Sequence, residues 1–201
     1  MKQNYSKQRK PIIVLICEGR NKTEIIYFRH FLKRDNKFNL KLIPSEDTSI
    51  NGMVKKGENK INEFQLDNKI GDRLFCLVDL DLSNDRLKEI EKFKNNRGKC
   101  KVEFIVSNPC FEIWLQYYFT QNPKIVNTSQ KVKAEMKKLV PQYEENFDVI
   151  EYYNLEDKHL NAVNNARNKN KIHDVDSLIV ERNPYTEVYK LVEFLLGVSE
   201  L

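Results

Sequence analysis

Glycine is scarce in this chain, with six in 201 residues, and those six form neither a G-x-x-x-x-G-K-[ST] nor a G-x-G-x-x-G run. The two common backbone cradles for nucleotide phosphates are therefore missing. The four cysteines, Cys17, Cys76, Cys100 and Cys110, show no C-x-x-C spacing, which argues against zinc and disulfide frameworks and for small buried hydrophobes in a reducing compartment. His30, His159 and His173 are scattered and give neither Cys17 nor Cys110 a visible partner, so a cysteine or serine hydrolase is poorly supported. No stretch approaches the roughly 18 consecutive apolar residues of a membrane span. Met1-Lys2-Gln3-Asn4 opens no signal peptide, and the expectation is a cytoplasmic protein with no membrane partner.

What is present is a chain with 40% hydrophobic and 31% charged residues, a balance that buries a core and stays soluble. Its net charge of +5 is unevenly spread: residues 1–41 hold 11 basic against 3 acidic side chains, and residues 172–201 hold 2 against 6. A basic first segment favours an anionic partner, nucleic acid first, with a solvated basic arm as the bland reading.

Two apolar runs organise the rest. Residues 12–17 run into Glu18-Gly19, and residues 74–78 run into Asp79-Leu80-Asp81. Short continuous apolar runs read as strands buried on both faces of a parallel sheet. Asn21-Lys22-Thr23-Glu24 reads as an N-cap with a capping-box glutamate, so a helix is expected over 22–34 with Ile25, Phe28 and Leu32 inside. A weaker strand over 39–44, helices over 53–68 and 84–94, and a strand over 101–106 complete a βαβαβαβ series, the signature of a parallel sheet with right-handed crossovers. Asn108 and Pro109 read as the N-cap and first residue of the next helix, which puts Glu112 one place beyond the capping-box position. From residue 122 the pattern turns to helices without strands: a basic one over 129–140, one over 155–168 with Leu160, Val163 and Ala166 inside, and a last one opened by Asn183-Pro184. The expected domains are thus an α/β core over 1–121 and a helical region over 122–201 packed on it.

Working residues of open α/β sheets sit beyond the carboxyl ends of the strands, where Glu18, Asp79 and Asp81 would all fall. Two aspartates at i and i+2 share a side while the strand stays extended. Carboxylates there need a positive partner, and a hard divalent cation such as Mg²⁺ is the natural one. The bland reading of Asp79 and Asp81 is a strand end that caps the next helix, and that of Glu112 is a favourable contact with a helix dipole.

The runs Ile13-Val14-Leu15-Ile16-Cys17-Glu18-Gly19, Thr23-Glu24, Tyr27-Phe28, Val78-Asp79-Leu80-Asp81, Ser107-Asn108-Pro109-Cys110-Phe111-Glu112-Ile113-Trp114 and Asn183-Pro184-Tyr185-Thr186 occur in order over nearly the whole chain. Together they resemble the RloB family. The resemblance implies a Toprim-like, mostly parallel four-stranded sheet flanked by helices, with an α-helical C-terminal extension. It implies that Glu18, Asp79 and Asp81 hold Mg²⁺, or Mn²⁺ in its place, for phosphodiester cleavage of RNA (tRNA included) or DNA, with Glu112 as a supporting acid. It further implies a part in bacterial anti-phage defence, where abortive infection is one outcome, beside an ABC-type ATPase partner. Where the family often shows Tyr-x-Lys, this chain has Tyr143 followed by Glu144-Glu145, so no helper lysine is assigned. Arg20, Lys22 and Asn108 are the expected phosphate ligands near a helix N-terminus. A non-catalytic binding or regulatory subunit of an ATPase-containing complex is the alternative, and aspartyl-phosphate chemistry on Asp79 a third.

Overall fold

The computed structural model describes residues 9–18, 23–93 and 98–199. Strands β1 (Ile12–Glu18), β2 (Asn39–Ser45), β3 (Arg73–Asp79) and β4 (Val102–Asn108) pair in parallel in the order β2-β1-β3-β4. The apolar runs explain the centre of the sheet. Ile13, Leu15 and Cys17 of β1 join Phe75 and Leu77 of β3 in one core, while Val14 and Ile16 join Leu74, Cys76 and Val78 in another. Alternate side chains along an extended strand point to opposite faces, so a continuous apolar run is what two covered faces require.

Helices α2 (Ile50–Phe64) and α3 (Asn84–Phe93) cover one face through Ile50, Met53, Val54, Leu87 and Ile90. The other face is covered by α1 (Thr23–Arg29), α4 (Glu112–Gln116) and the C-terminal helices α5 (Ser129–Leu139), α6 (Val149–Tyr152), α7 (His159–Asn170) and α8 (Val188–Leu195). That core runs without a break from Ile13 to Leu195. Gly57 faces β3, where an added Cβ would stand 3.1 Å from Cδ2 of Leu74. This close approach accounts for a glycine inside a helix that it would otherwise weaken.

Several expectations are corrected. The sheet has five strands, because Tyr185–Thr186 forms a short β5 antiparallel to the end of β4, with Ser107 opposite Thr186 and Asn108 opposite Tyr185. The segment after residue 122 is therefore not strand-free, and the last helix starts at Val188, not at Asn183-Pro184. β4 continues through Asn108, followed by a cis peptide to Pro109, so Asn108 is a strand end and α4 begins at Glu112. The first helix is shorter than periodicity suggests and leaves Leu32 exposed; Leu160 is exposed too, its place on the buried stripe taken by His159 and Ala162. Among the described residues, no helix is long and apolar enough to cross a membrane.

Candidate metal centre at the carboxyl edge of the sheet

Parallel pairing brings the ends of β1, β3 and β4 to one edge. The Asp79 backbone N–H donates to Oε2 of Glu18 at 3.0 Å, and Asp79 lies opposite Ser107 in the β3–β4 register. Four residues beyond β4, the start of α4 turns Glu112 inward, 4% exposed. Ligand atoms of Asp79, Cys110 and Glu112 lie within 4.8 Å of one another, the one such group of three among the described residues.

The Asp-Leu-Asp segment is not extended. β3 ends at Asp79, and Asp81 and Leu82 have φ of 50° and 60°, a left-handed conformation that costs non-glycine residues about 1–3 kcal/mol each. Three hydrogen bonds tie the turn to the neighbouring chain, Leu80 N–H to Ser107 O at 2.8 Å, Asp81 N–H to Pro109 O at 2.9 Å and Leu82 N–H to Oδ1 of Asn108 at 3.1 Å, and Ser83 N–H to Leu80 O at 2.8 Å closes it. Asp81 is thus carried away from the alternation that would have kept it on one side with Asp79. Its Oδ1 accepts a hydrogen bond from the Ser129 hydroxyl at the start of α5.

Asn108, expected on a phosphate, is fully buried and committed elsewhere. Besides holding Leu82, its amide group donates to the carbonyls of Ile179, Val180 and Arg182 at 3.3, 3.0 and 2.9 Å. It ties the turn after β3 to the segment before β5. Arg20 and Lys22, the other two expected phosphate ligands, lie outside the described residues.

One acid missing from the sequence-derived site, and differently explained there, belongs to the same neighbourhood. Glu24, expected to cap its own helix, is 8% exposed. Burial, with Glu112 and Glu18 nearby, pushes its carboxyl up to about 8. Asp79 is raised well above the carboxylate range by burial first, then by Glu24, Glu112, Glu18 and Asp81. Glu18 is raised by burial, against which Arg86 and the Asp79 N–H pull it down. Among the described residues no hydrogen-bond donor reaches the Asp79 carboxylate. Two carboxylates about 5 Å apart repel by about 3 kcal/mol at an effective dielectric near 20. With several such pairs, the ionised cluster would consume a large part of a typical folding stability of about 5–15 kcal/mol. Protons or a cation must offset it.

The C-terminal region supplies the other wall. Tyr143 donates its hydroxyl to Oε1 of Glu112 at 2.9 Å, and Nζ of Lys133 in α5 lies 3.8 Å from the same oxygen while pairing with Glu145. Burial works against the Lys133 ammonium, but Glu145 and Glu112 hold its pKa above the ordinary value. The tyrosine of the Tyr143-Glu144-Glu145 segment therefore reaches the site, and the nearby lysine comes from a different element. Periodicity could not reveal Lys133, since it is one of several lysines on a basic helix; Thr23-Glu24 was visible but had a sufficient local explanation.

The donor set suits a hard divalent ion. Asp79 and Glu112 offer close oxygens, with Glu18 and Glu24 beside them, and hard ions take carboxylate ligands. The Cys110 thiol is pushed well up by burial, with Glu112 and Asp79 adding to the effect, so it stays protonated and is a poor ligand for such an ion. Of the described basic residues of the first segment, Arg9 and Lys10 stand at the opposite end of β1, with Arg9 paired to Asp72 and Lys10 bonded to the carbonyls of Arg34 and Asn36.

A mixed α/β fold with a mostly parallel five-stranded sheet, consistent with Toprim-like proteins, thus presents a partly buried carboxylate cluster at its carboxyl edge. The chain belongs to the family described as RloB-like protein, which matches residues 13–195. Comparisons with curated proteins and with solved structures return no match.

Proposed function

We propose that this RloB-like protein is a Mg²⁺-dependent nuclease of the Toprim type, active with Mn²⁺ as well, that cleaves phosphodiester bonds in RNA, tRNA included, or in DNA. The observation that carries the reading is the Asp79–Glu112 pair, with ligand atoms within 4.8 Å, Asp79 half-buried and Glu112 buried, Glu18 and Glu24 around them and, among the described residues, no donor on Asp79. Asp79 and Glu112 would hold the ion, with Glu18 as a third ligand and Asp81 at the rim. Such an ion, when bound, polarises a phosphate and stabilises charge on the leaving oxygen. Glu24, raised to about 8, is suited to hold or move a proton near neutral pH. Tyr143 and Lys133 orient Glu112, and Asn108 fixes the turn that carries Asp81. The cytoplasmic setting, the role in anti-phage defence and regulation by an ABC-type ATPase belong to the same reading, as does binding of phosphate by Arg20 and Lys22.

The test is incubation of the purified protein, alone and with its ATPase partner, with labelled tRNA, single-stranded RNA and DNA in Mg²⁺ or Mn²⁺. Cleavage is expected from the wild type and not from Asp79→Ala. Absence of cleavage in every combination, or equal cleavage by the variant, sinks the reading. One observation favours the second reading, a non-catalytic regulatory subunit: both oxygens of Glu18 already have protein partners. A complex with the ATPase that forms without metal and is unaffected by Asp79→Ala would support it.

A further inference from the structure

Glu18 differs from the other acids of the cluster in how its oxygens are used. Oε2 accepts the Asp79 N–H at 3.0 Å, and Oε1 is held by Nη2 of Arg86 at 2.6 Å. The same nitrogen reaches the Thr48 carbonyl only at 3.5 Å, and Nε of Arg86 is buried without a partner among the described residues. A guanidinium built to brace two elements permanently would use its planar fork for paired hydrogen bonds. Arg9 does so on Asp72, with 2.8 and 2.6 Å bonds to the two carboxylate oxygens. Arg86 instead grips one oxygen with one arm and leaves a buried donor idle, an arrangement that satisfies charge better than hydrogen bonding.

Its position explains why. Arg86 lies in the first turn of α3, its backbone N–H anchored on the Ser83 hydroxyl at 3.3 Å, so the side chain can leave Glu18 while the backbone stays. Its side chain is 22% exposed and that of Glu18 14%, which leaves a solvent route for the exchange. We propose that Arg86 is a resident counter-cation that competes with the divalent metal for Glu18 and so sets the metal affinity of the site. In the metal-free protein the guanidinium offsets part of the repulsion among the acids. When a metal takes Glu18, the two cations cannot share that carboxylate without repelling each other, and Arg86 yields. It is a positioning residue, acting on the metal through Glu18, and the proposal rests on the metal-centre reading above.

Calorimetric titration of the whole chain with Mn²⁺ and with Mg²⁺, without nucleic acid, separates the two ideas. Arg86→Gln is expected to bind metal about tenfold more tightly, opposite in sign to the roughly 10–100-fold loss that follows when a partner supporting a metal ligand is removed. Arg86→Lys, which keeps the charge but not the fork, is expected to fall between it and the wild type. In a Glu18→Gln background, Arg86→Gln should give no further gain, because the competition has been removed. If the wild type binds metal and Asp79→Asn does not, yet Arg86→Gln and Arg86→Lys both match the wild type or bind more weakly, the inference about Arg86 fails and the metal centre stands. If the wild type takes up no metal, both fail. Thermal melting identifies an Arg86→Gln protein that does not fold, in which case Arg86→Lys alone decides.

Discussion

Asp72 and Asp79 stand at the two ends of one strand. Asp72, fully buried just before β3, receives the Ile12 and Asp67 N–H groups at 2.7 and 2.9 Å and a two-pronged Arg9 guanidinium. Burial pushes its carboxyl up, but Arg9 and the two N–H donors outweigh burial and leave it below the ordinary carboxylate value. Asp79, seven residues on, has no donor among the described residues, and burial first, then the neighbouring acids, moves its pKa far the other way. One aspartate is satisfied by the fold; among the described residues, nothing donates to the other. A buried carboxylate, then, marks a functional site when its neighbours refuse to neutralise it.

Exchange of each acid for its amide tests that contrast. Asp79→Asn should lower any metal-dependent cleavage by more than about 100-fold, beyond the 10–100-fold loss typical of a ligand's hydrogen-bond partner. Its melting temperature without metal should be unchanged or higher, because a repelling charge is gone. Asp72→Asn should behave in reverse, losing about 3 kcal/mol of stability in denaturant melts as the Arg9 pair and an N–H acceptor are lost, with metal affinity at the far end unaltered. A variant of Asp79 as destabilised as that of Asp72 would break the comparison.

The two ends should also respond oppositely to pH. Glu24 titrates near 4.5 when unfolded and about 8 when folded; between these values the native state binds the extra proton, so stability is full below about 4.5 and lost as pH rises towards 8. The metal-free protein should accordingly lose a few kcal/mol between pH 5 and pH 8.5 in chelator, and Glu24→Gln should flatten that limb. Asp72, with its depressed pKa, contributes stability present above its unfolded value and lost as pH falls below it. His159 supplies an acid step of its own: burial first, then His30 and Lys33, lowers it from 6.5 to about 4, with Glu156 and Asp157 opposing. Over that window the unfolded chain binds the proton, so stability falls by up to about 3 kcal/mol on acidification. His159→Gln should remove this step and expose the Asp72 step below it, as followed by melts from pH 7 to pH 3. The smallest effect belongs to Tyr143→Phe. Loss of its bond to Glu112 should cost about 1 kcal/mol of stability and reduce cleavage by less than Asp79→Asn.

Legibility in the sequence followed how local each cause was. Continuous apolar runs identified β1 and β3 and placed Glu18 and Asp79 at their ends, because two covered faces demand that pattern. Glu112 could be suspected, since capping did not account for it. The site's far wall could not be read. Ser129, Lys133 and Tyr143 lie on segments whose local pattern is merely that of a polar helix and a turn, and their approach to Asp81 and Glu112 depends on how the C-terminal helices pack. Asn108 misled for a related reason: Asn-Pro is a good helix opening by local rules, yet pairing with β5 extends β4 through it.

The Asp79-Leu80-Asp81 segment shows where the division falls. Sequence alone determined that a buried parallel strand ends in an acid, that a second such strand ends in Glu18, and that the chain carries the ordered motifs of its family, since backbone periodicity and side-chain polarity act over a few residues. Tertiary structure alone decided that Asp79 meets Glu112 while Asp81 turns aside to Ser129, and that Arg86 holds Glu18. Those contacts join residues up to 68 positions apart in the chain, and only packing fixes which distant charges share one pocket.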